Sequence, residues 1–384
     1  MEKIIFNNSC YFGEGCISKL KDEIISRQYK SVFIVTDNNL IDAGVYQKVL
    51  NELFKCKIFA TVFADVSSEP KIREVKNALQ SFKKSKADFI LAIGGGSVID
   101  LAKAVSIIAT NEKFVDVVSL AGKKEYLNKP INIIAIPTTS GSGAEISKSI
   151  VLQDEVRNKK IICSADNLLP VVVIEDANLM TTMPDITTLS SGFDALCHAI
   201  ESLLSKNVNL FSKSLANDAI EIIIRNLPKV YDEPDNIIAR ENMSYASYMA
   251  ALAYSNSGLG ICHSLAHSVQ DKIKIPHGIA LAILLPAVLK FNMYSNKSND
   301  YKYIVEAFGI KTDGLTQDEI CRTAIKEIEK FRNDFNIPKK LSDYGLTEAH
   351  LDIVALNAFD DVCTKTNPRE CNTTDLYSIL KKLI

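Results

Sequence analysis

The chain has 384 residues, of which 47% are hydrophobic and 23% charged, and its formal net charge is -2. That length suits two domains rather than one core, and the composition is an ordinary globular balance. The near-neutral charge gives no basis for a nucleic-acid partner or an anionic membrane surface, and no apolar run reaches the roughly 20 residues a spanning helix needs.

The opening "MEKIIFNNSCYFGEG" lacks a basic stretch followed by an apolar one, and the nine cysteines are scattered without a CxxC pair. The expectation is a cytoplasmic chain with reduced thiols. In the first half, short β-branched runs alternate with amphipathic ones. "SVFIVTD" (31–37) and "KIFATVF" (57–63) read as buried strands, and "KIREVKNALQSFKKS" (71–85) as a helix with a basic outer face. "ADFILAIGGGS" (87–97) is a strand meeting a glycine turn, "DLAKAVSIIAT" (100–110) continues as a helix, and "INIIAIPTTSGSG" (131–143) is a strand entering a polar turn. Such alternation predicts a mostly parallel sheet covered on both faces.

After "VVVIEDANLMTTMPDITT" (171–188) the pattern turns helical, with helix-like periodicity over 186–205, 211–227, 236–256, 259–272, 278–292, 301–308, 316–335 and 347–357. Pro184 and Asp185 make a helix start. The expected organisation is therefore an α/β Rossmann-like domain over 1–184 and an all-α domain over 185–384, packed closely around a cleft.

Three features carry chemistry. In "AIGGGSVIDLAKA" (92–104), side-chain-free glycines let the backbone approach a diphosphate, while the N–H groups from Ser97 onward face it at a helix start. This is not the GxGxxG fingerprint, and a glycine turn can simply join strand to helix. The second turn, "PTTSGSGAE" (137–145), puts more Gly, Ser and Thr at the same carboxyl edge of a parallel sheet, which favours a phosphate-bearing cofactor. Asp100 can satisfy local N–H groups or bond the cofactor. Asp37 can accept hydrogen bonds from a ribose diol and repel a 2′-phosphate, or cap a helix before "NNL".

The third feature is the set of histidines. Four of the five fall within 198–277. In "GFDALCHAIE" (192–201) Asp194 and His198 share a helix face one turn apart, and "GLGICHSLAHSVQDKIKIPHG" (258–278) supplies His263, His267 and His277. One carboxylate with two or three imidazoles suits a divalent transition ion, Fe(II) or Zn(II), with an open position. HExxH is absent, and "SGSGAE" matches a nucleophile elbow only superficially. Cys197 and Cys262 adjoin these residues but point away along their helices and read as packing groups.

"GGGSVID", "PTTSGSGAE", "DALCHAIE" and "HSLAHSVQDKIKIPHG", in this order and spacing, resemble the iron-containing (group III) alcohol dehydrogenase family, from "FGEG" to "NPRECNTTDLYSIL" (367–380). The resemblance implies NAD(P) in the α/β half and a metal in the helical half, with Asp194, His198, His263 and His277 at the ligand positions. It makes His267 a non-ligand facing substrate and nicotinamide, able to relay the proton of hydride transfer between a small alcohol or aldehyde and the cofactor. It puts cofactor contacts on Gly95, Gly96, Ser97, Asp100, Thr138, Thr139 and Ser142, with Ser147 and Lys160 lining the cofactor cleft. Asp37 matches members that use NAD in preference to NADP. Relatives carry small residues where this chain has Gln270 and Asp271, and Ser264 replaces a frequent glycine, so polarity beside the metal is expected to differ here. The family also implies a homodimer or larger homo-oligomer, for which "MEKIIFNNSC" can pair across a two-fold axis. The alternatives are a glycerol dehydrogenase- or dehydroquinate synthase-like reaction on the same architecture, or a non-catalytic metal- or nucleotide-binding protein. Sparse Lys and Arg beside the ligand motifs argues against recognition of a phosphorylated sugar acid.

Overall fold

A computed structural model describes residues 4, 6, 9–123, 126–157, 159–165 and 167–384. Most of "MEKIIFNNSC", the segment read as a pairing strand, lies outside the described residues. The chain divides into two compact units, Ile5–Pro184 with Glu233–Ser244, and Asp185–Asp232 with Tyr245–Ile384.

The first unit is built from β1 (Cys10–Phe12), α1 (Lys19–Ser26), β2 (Ser31–Val35), α2 (Asn38–Asp42), α3 (Val45–Phe54), β3 (Phe59–Phe63), α4 (Ile72–Ser85), β4 (Phe89–Gly94), α5 (Gly96–Thr110), β5 (Gly122–Lys123), β6 (Ile133–Pro137), β7 (Ser149–Asp154), β8 (Lys159–Ser164) and β9 (Val172–Glu175). Six strands form one sheet in the order β1-β9-β6-β4-β2-β3, all neighbours parallel. Its strands are nearly continuous apolar runs because both faces are covered. Val32, Ile34, Leu91 and Ile134 pack on one face with Leu20, Ile24, Val45 and Val49. Phe33, Val35, Ile90 and Ala135 pack on the other with α4 and α5 through Val75, Leu79, Leu101 and Val105. The chain passes from β2 outward to β3 and then returns to the other side of β2 as β4. That reversal opens the crevice between the carboxyl ends of β2 and β4 where doubly wound sheets bind ligands.

Three expectations change. "KIFATVF" is not a buried strand: β3 is the sheet edge, Phe59 is 83% exposed and only Phe63 is buried. The helix start expected at Ser97 lies one residue earlier, at Gly96, because the last glycine of the turn already has helical backbone and Gly95 is its N-cap. Residues 149–164, to which no element was given, form the antiparallel pair β7–β8 in a second sheet of order β5-β8-β7.

The second unit is helical: α6 (Asp185–Leu204), α7 (Leu210–Asp232), α8 (Ile237–Ser257), α9 (Ile261–Gln270), α10 (His277–Asn292), α11 (Tyr301–Ala307), α12 (Gln317–Asp334), α13 (Leu351–Asp360) and α14 (Thr373–Lys381). The first residues of α8, to Ser244, belong to the α/β unit, where Ser244 Oγ donates to Glu175 Oε2 at 2.6 Å. The helix expected from 347 begins at Leu351, after a 3₁₀ turn capped by Thr347. Among the described residues no helix is long and apolar enough to cross a membrane.

Candidate active site

In the helical unit, α6 turns Asp194, His198 and Glu201 inward at spacings of i, i+4 and i+7, which keep one face. α9 does the same with His263, His267 and Gln270, and His277 is the first residue of α10. Gly278 fixes that start: its N–H donates to Ser190 Oγ at 3.1 Å, and a Cβ there would lie 1.7 Å from the Ser190 carbonyl oxygen.

The side chains converge on one carboxylate oxygen. Asp194 Oδ1 lies 3.5 Å from His198 Nε2, 3.4 Å from His263 Nε2 and 3.7 Å from His277 Nε2. Ligand atoms of Asp194, His263 and His277 all fall within 4.8 Å of one another. The His198 ring stacks between Tyr254, at 4.4 Å, and His263, at 4.5 Å. Asp194 Oδ1 and His263 Nε2 are both buried without a hydrogen-bond partner among the described residues. Such orphaned atoms are costly, and a shared cation satisfies both at once. Burial opposes ionisation of Asp194, but the imidazoles of His198, His277 and His263 outweigh it and hold the carboxyl well below the usual range. An anionic oxygen among imidazole nitrogens is a donor set that fits a divalent transition ion.

Each of three imidazoles has its far nitrogen held. His263 Nδ1 meets Glu201 Oε2 at 2.5 Å, His277 Nδ1 meets Gln270 Oε1 at 2.8 Å, and His267 Nδ1 meets Asp361 Oδ2 at 2.9 Å. Glu201 and Asp361 were missed in the sequence. Glu201 carries a signal, the D-x3-H-x2-E spacing, whereas Asp361 lies 94 residues from its partner and carries none. Gln270, expected to add polarity beside the metal, instead backs a histidine.

In the α/β unit, Asp37, Gly95, Gly96, Ser97, Thr138, Thr139 and Ser142 all follow the carboxyl ends of β2, β4 or β6. The two turns interlock there. A Cβ on Gly95 would lie 3.1 Å from Thr139 Oγ1, and one on Gly96 would lie 2.5 Å from Ser142 Oγ. Ser97 Oγ donates to the Ser68 carbonyl at 2.5 Å. Asp37 caps α2, accepting from the Leu40 N–H at 3.1 Å, so the capping reading holds for one of its oxygens. Asp100 Oδ2 accepts from the Val151 N–H at 2.8 Å, tying α5 to β7, while burial, partly offset by Lys103, pushes its carboxyl up to about 6. Ser147 and Asp100 are joined through Lys103, absent from the sequence reading. Its fully buried Nζ donates to the Ser147 and Ser149 carbonyls at 2.7 and 3.1 Å and lies 3.9 Å from Asp100. Lys160 pairs with Glu69 at 3.3 Å.

Family models for iron-containing alcohol dehydrogenase match residues 7–177, and for the C-terminal part of the Fe-containing alcohol dehydrogenase family residues 188–384. The chain belongs to the iron-containing alcohol dehydrogenase family. It is a metal-dependent, NAD(P)-linked alcohol dehydrogenase or aldehyde reductase. It is 36% identical to lactaldehyde reductase of Escherichia coli (strain K12) over 378 residues, covering 98% of each chain. It is 32% identical to NAD-dependent methanol dehydrogenase of Bacillus methanolicus, covering 97% of each. A crystal structure of 1,3-propanediol oxidoreductase superimposes with a TM-score of 0.96 at 32% identity, covering 100% of both chains.

Proposed function

We propose that this chain interconverts a small primary alcohol and its aldehyde with NAD, holding one divalent ion, Fe(II) before Zn(II), through Asp194, His198, His263 and His277. The observation that carries the reading is the single buried Asp194 oxygen approached by three Nε2 atoms. An ion held there supplies the positive charge that polarises a substrate oxygen and lowers an alcohol's pKa. NAD supplies the hydride acceptor. The pyrophosphate contacts fall to Gly95, Gly96, Ser97, Thr138, Thr139 and Ser142, whose backbone and hydroxyl groups sit at a helix start beside the strand-order reversal. Asp100, Ser147 and Lys160 are assigned to the cofactor cleft, a reading supported by Asp100 bonding β7 and by Lys160 pairing with Glu69, next to the Ser68 that Ser97 contacts, and Asp37 selects against a 2′-phosphate. His267 moves the proton through Nε2, since Asp361 occupies Nδ1. The nucleotide part is 1–184 and the metal part 185–384, apart from Glu233–Ser244, which belongs to the α/β unit. A cytoplasmic home is supported by nine cysteines with no disulfide. A homodimer or larger homo-oligomer is what the family implies, and β1, which ends the six-stranded sheet, is the edge that such a pairing would extend.

The test is protein purified without oxygen, analysed for iron and zinc, and assayed with methanol, 1,3-propanediol and lactaldehyde. The reading expects NAD-dependent turnover of at least one, lost on chelation and restored by Fe(II) or Zn(II). Metal-replete protein inert toward all alcohols and aldehydes, or activity indifferent to chelation, would contradict it.

A further inference from the structure

Two inward-facing side chains at this centre meet the far nitrogens of histidines. Glu201 is 5% exposed, and both its oxygens are engaged: Oε1 accepts from the Cys262 N–H at 2.7 Å and Oε2 faces His263 Nδ1 at 2.5 Å. Gln270 is clamped at both ends of its amide, with Nε2 donating to the Ile275 carbonyl at 3.1 Å and Oε1 facing His277 Nδ1 at 2.8 Å.

The chemistry of the partners dictates the tautomers. A carboxylate oxygen accepts only, so His263 Nδ1 carries the proton in that bond. A backbone carbonyl also accepts only, so the Gln270 nitrogen must face Ile275 and its oxygen must face His277, whose Nδ1 is then the donor. In a neutral imidazole the other nitrogen is left with a lone pair. In both rings that nitrogen is the Nε2 directed at Asp194.

We propose that Glu201 and Gln270 are positioning residues that lock His263 and His277 in the ion-binding tautomer before the ion arrives. The proposal rests on those two histidines being ligands. The two supports are unequal. A buried carboxylate raises the basicity of its imidazole and resists rotation, whereas a neutral amide orients without adding charge. His263 is 2% exposed and His277 is 28% exposed, so the carboxylate backs the inner ligand and the amide the outer one.

The experiment measures the Zn(II) dissociation constant of the metal-stripped full-length chain by chelator competition, with the absorption bands of the Co(II)-loaded chain as a report on ligand geometry. In Glu201→Gln the amide can serve only one of its two donors, so binding should weaken about 10–100-fold and the Co(II) bands should shift. Gln270→Leu keeps the volume and loses the acceptor, and should weaken binding about tenfold. Gln270→Glu keeps an acceptor at His277 and should bind at least as tightly as the parent. Should Glu201→Gln fail to fold, the Gln270→Leu and Gln270→Glu pair decides. Parent-like affinity in Gln270→Leu, or equal losses in Gln270→Leu and Gln270→Glu, would overturn the proposal while His263→Ala still abolishes binding. If His263→Ala binds Zn(II) like the parent, it is the ligand reading that fails.

Discussion

His267 Nδ1 lies 2.9 Å from Asp361 Oδ2, and the other Asp361 oxygen accepts from the Cys363 N–H at 2.8 Å. An ionised carboxylate anchored this way orients the ring and leaves Nε2 as the nitrogen that exchanges a proton. His267→Ala should therefore retain its metal and lose turnover about 10²–10⁴-fold. His263→Ala should lose both. Elemental analysis beside steady-state kinetics separates them, and full activity in a metal-free His263→Ala would contradict the assignment.

The same pair sets a pH dependence. Burial works against ionisation of Asp361, but the His267 imidazole and the Cys363 N–H prevail and bring its carboxyl down to about 2. A folded pKa below the unfolded one stabilises the native state above the unfolded pKa, and that gain fades as pH falls through the folded value. The shift corresponds to roughly 2 kcal/mol. Denaturant unfolding of the parent and Asp361→Asn should show this gap undiminished from neutral pH down to about pH 5, then narrowing progressively and closing only near or below the folded value of about 2. A gap that stays constant throughout would count against the ion-pair origin.

Gly278 is a packing requirement as well as a neighbour of His277. Because the atom a Cβ would strike is the backbone oxygen of Ser190, no rotamer change relieves the clash. Gly278→Ala should cost about 1–3 kcal/mol and displace His277. Thermal unfolding and Zn(II) affinity should fall together, and a variant unchanged in both would show that α10 packs less tightly on α6 than described.

Much of this was legible in the sequence because the signals were local. Strands such as "SVFIV" and "FILAIG" are continuous apolar runs, which only a sheet covered on both faces produces. Asp194, His198, His263 and His267 announced themselves by one-turn spacing. What stayed hidden depended on tertiary partners. "SIVLQD" and "KKIICS" are short and bear charges at their shared turn, so their pairing appears only once Lys71 and α5 provide a surface. "FATVF" has the composition of an interior strand, and only its place at the sheet end exposes it. Asp361 acquires its role from His267, and nothing in its own neighbourhood marks it; Gln270 shares the i, i+4, i+7 face of α9, but the partner that defines its role, His277, lies on the next helix.

Asp37 tests the nucleotide half. It caps α2 by accepting the Leu40 N–H, and glycine at such a position costs only a few tenths of a kcal/mol. Asp37→Gly should therefore fold normally while its ratio of NADP to NAD use rises, through the KM for NADP. An unchanged ratio would leave Asp37 as a cap alone.

The central claim is that one divalent ion sits where Asp194, His198, His263 and His277 meet. An anomalous difference map collected at the iron or zinc edge from crystals of the loaded chain examines it directly. The account predicts one peak about 2 Å from the Asp194 carboxylate and from Nε2 of each of the three histidines. A peak among other side chains, or tightly bound metal with these four turned away from it, would contradict it.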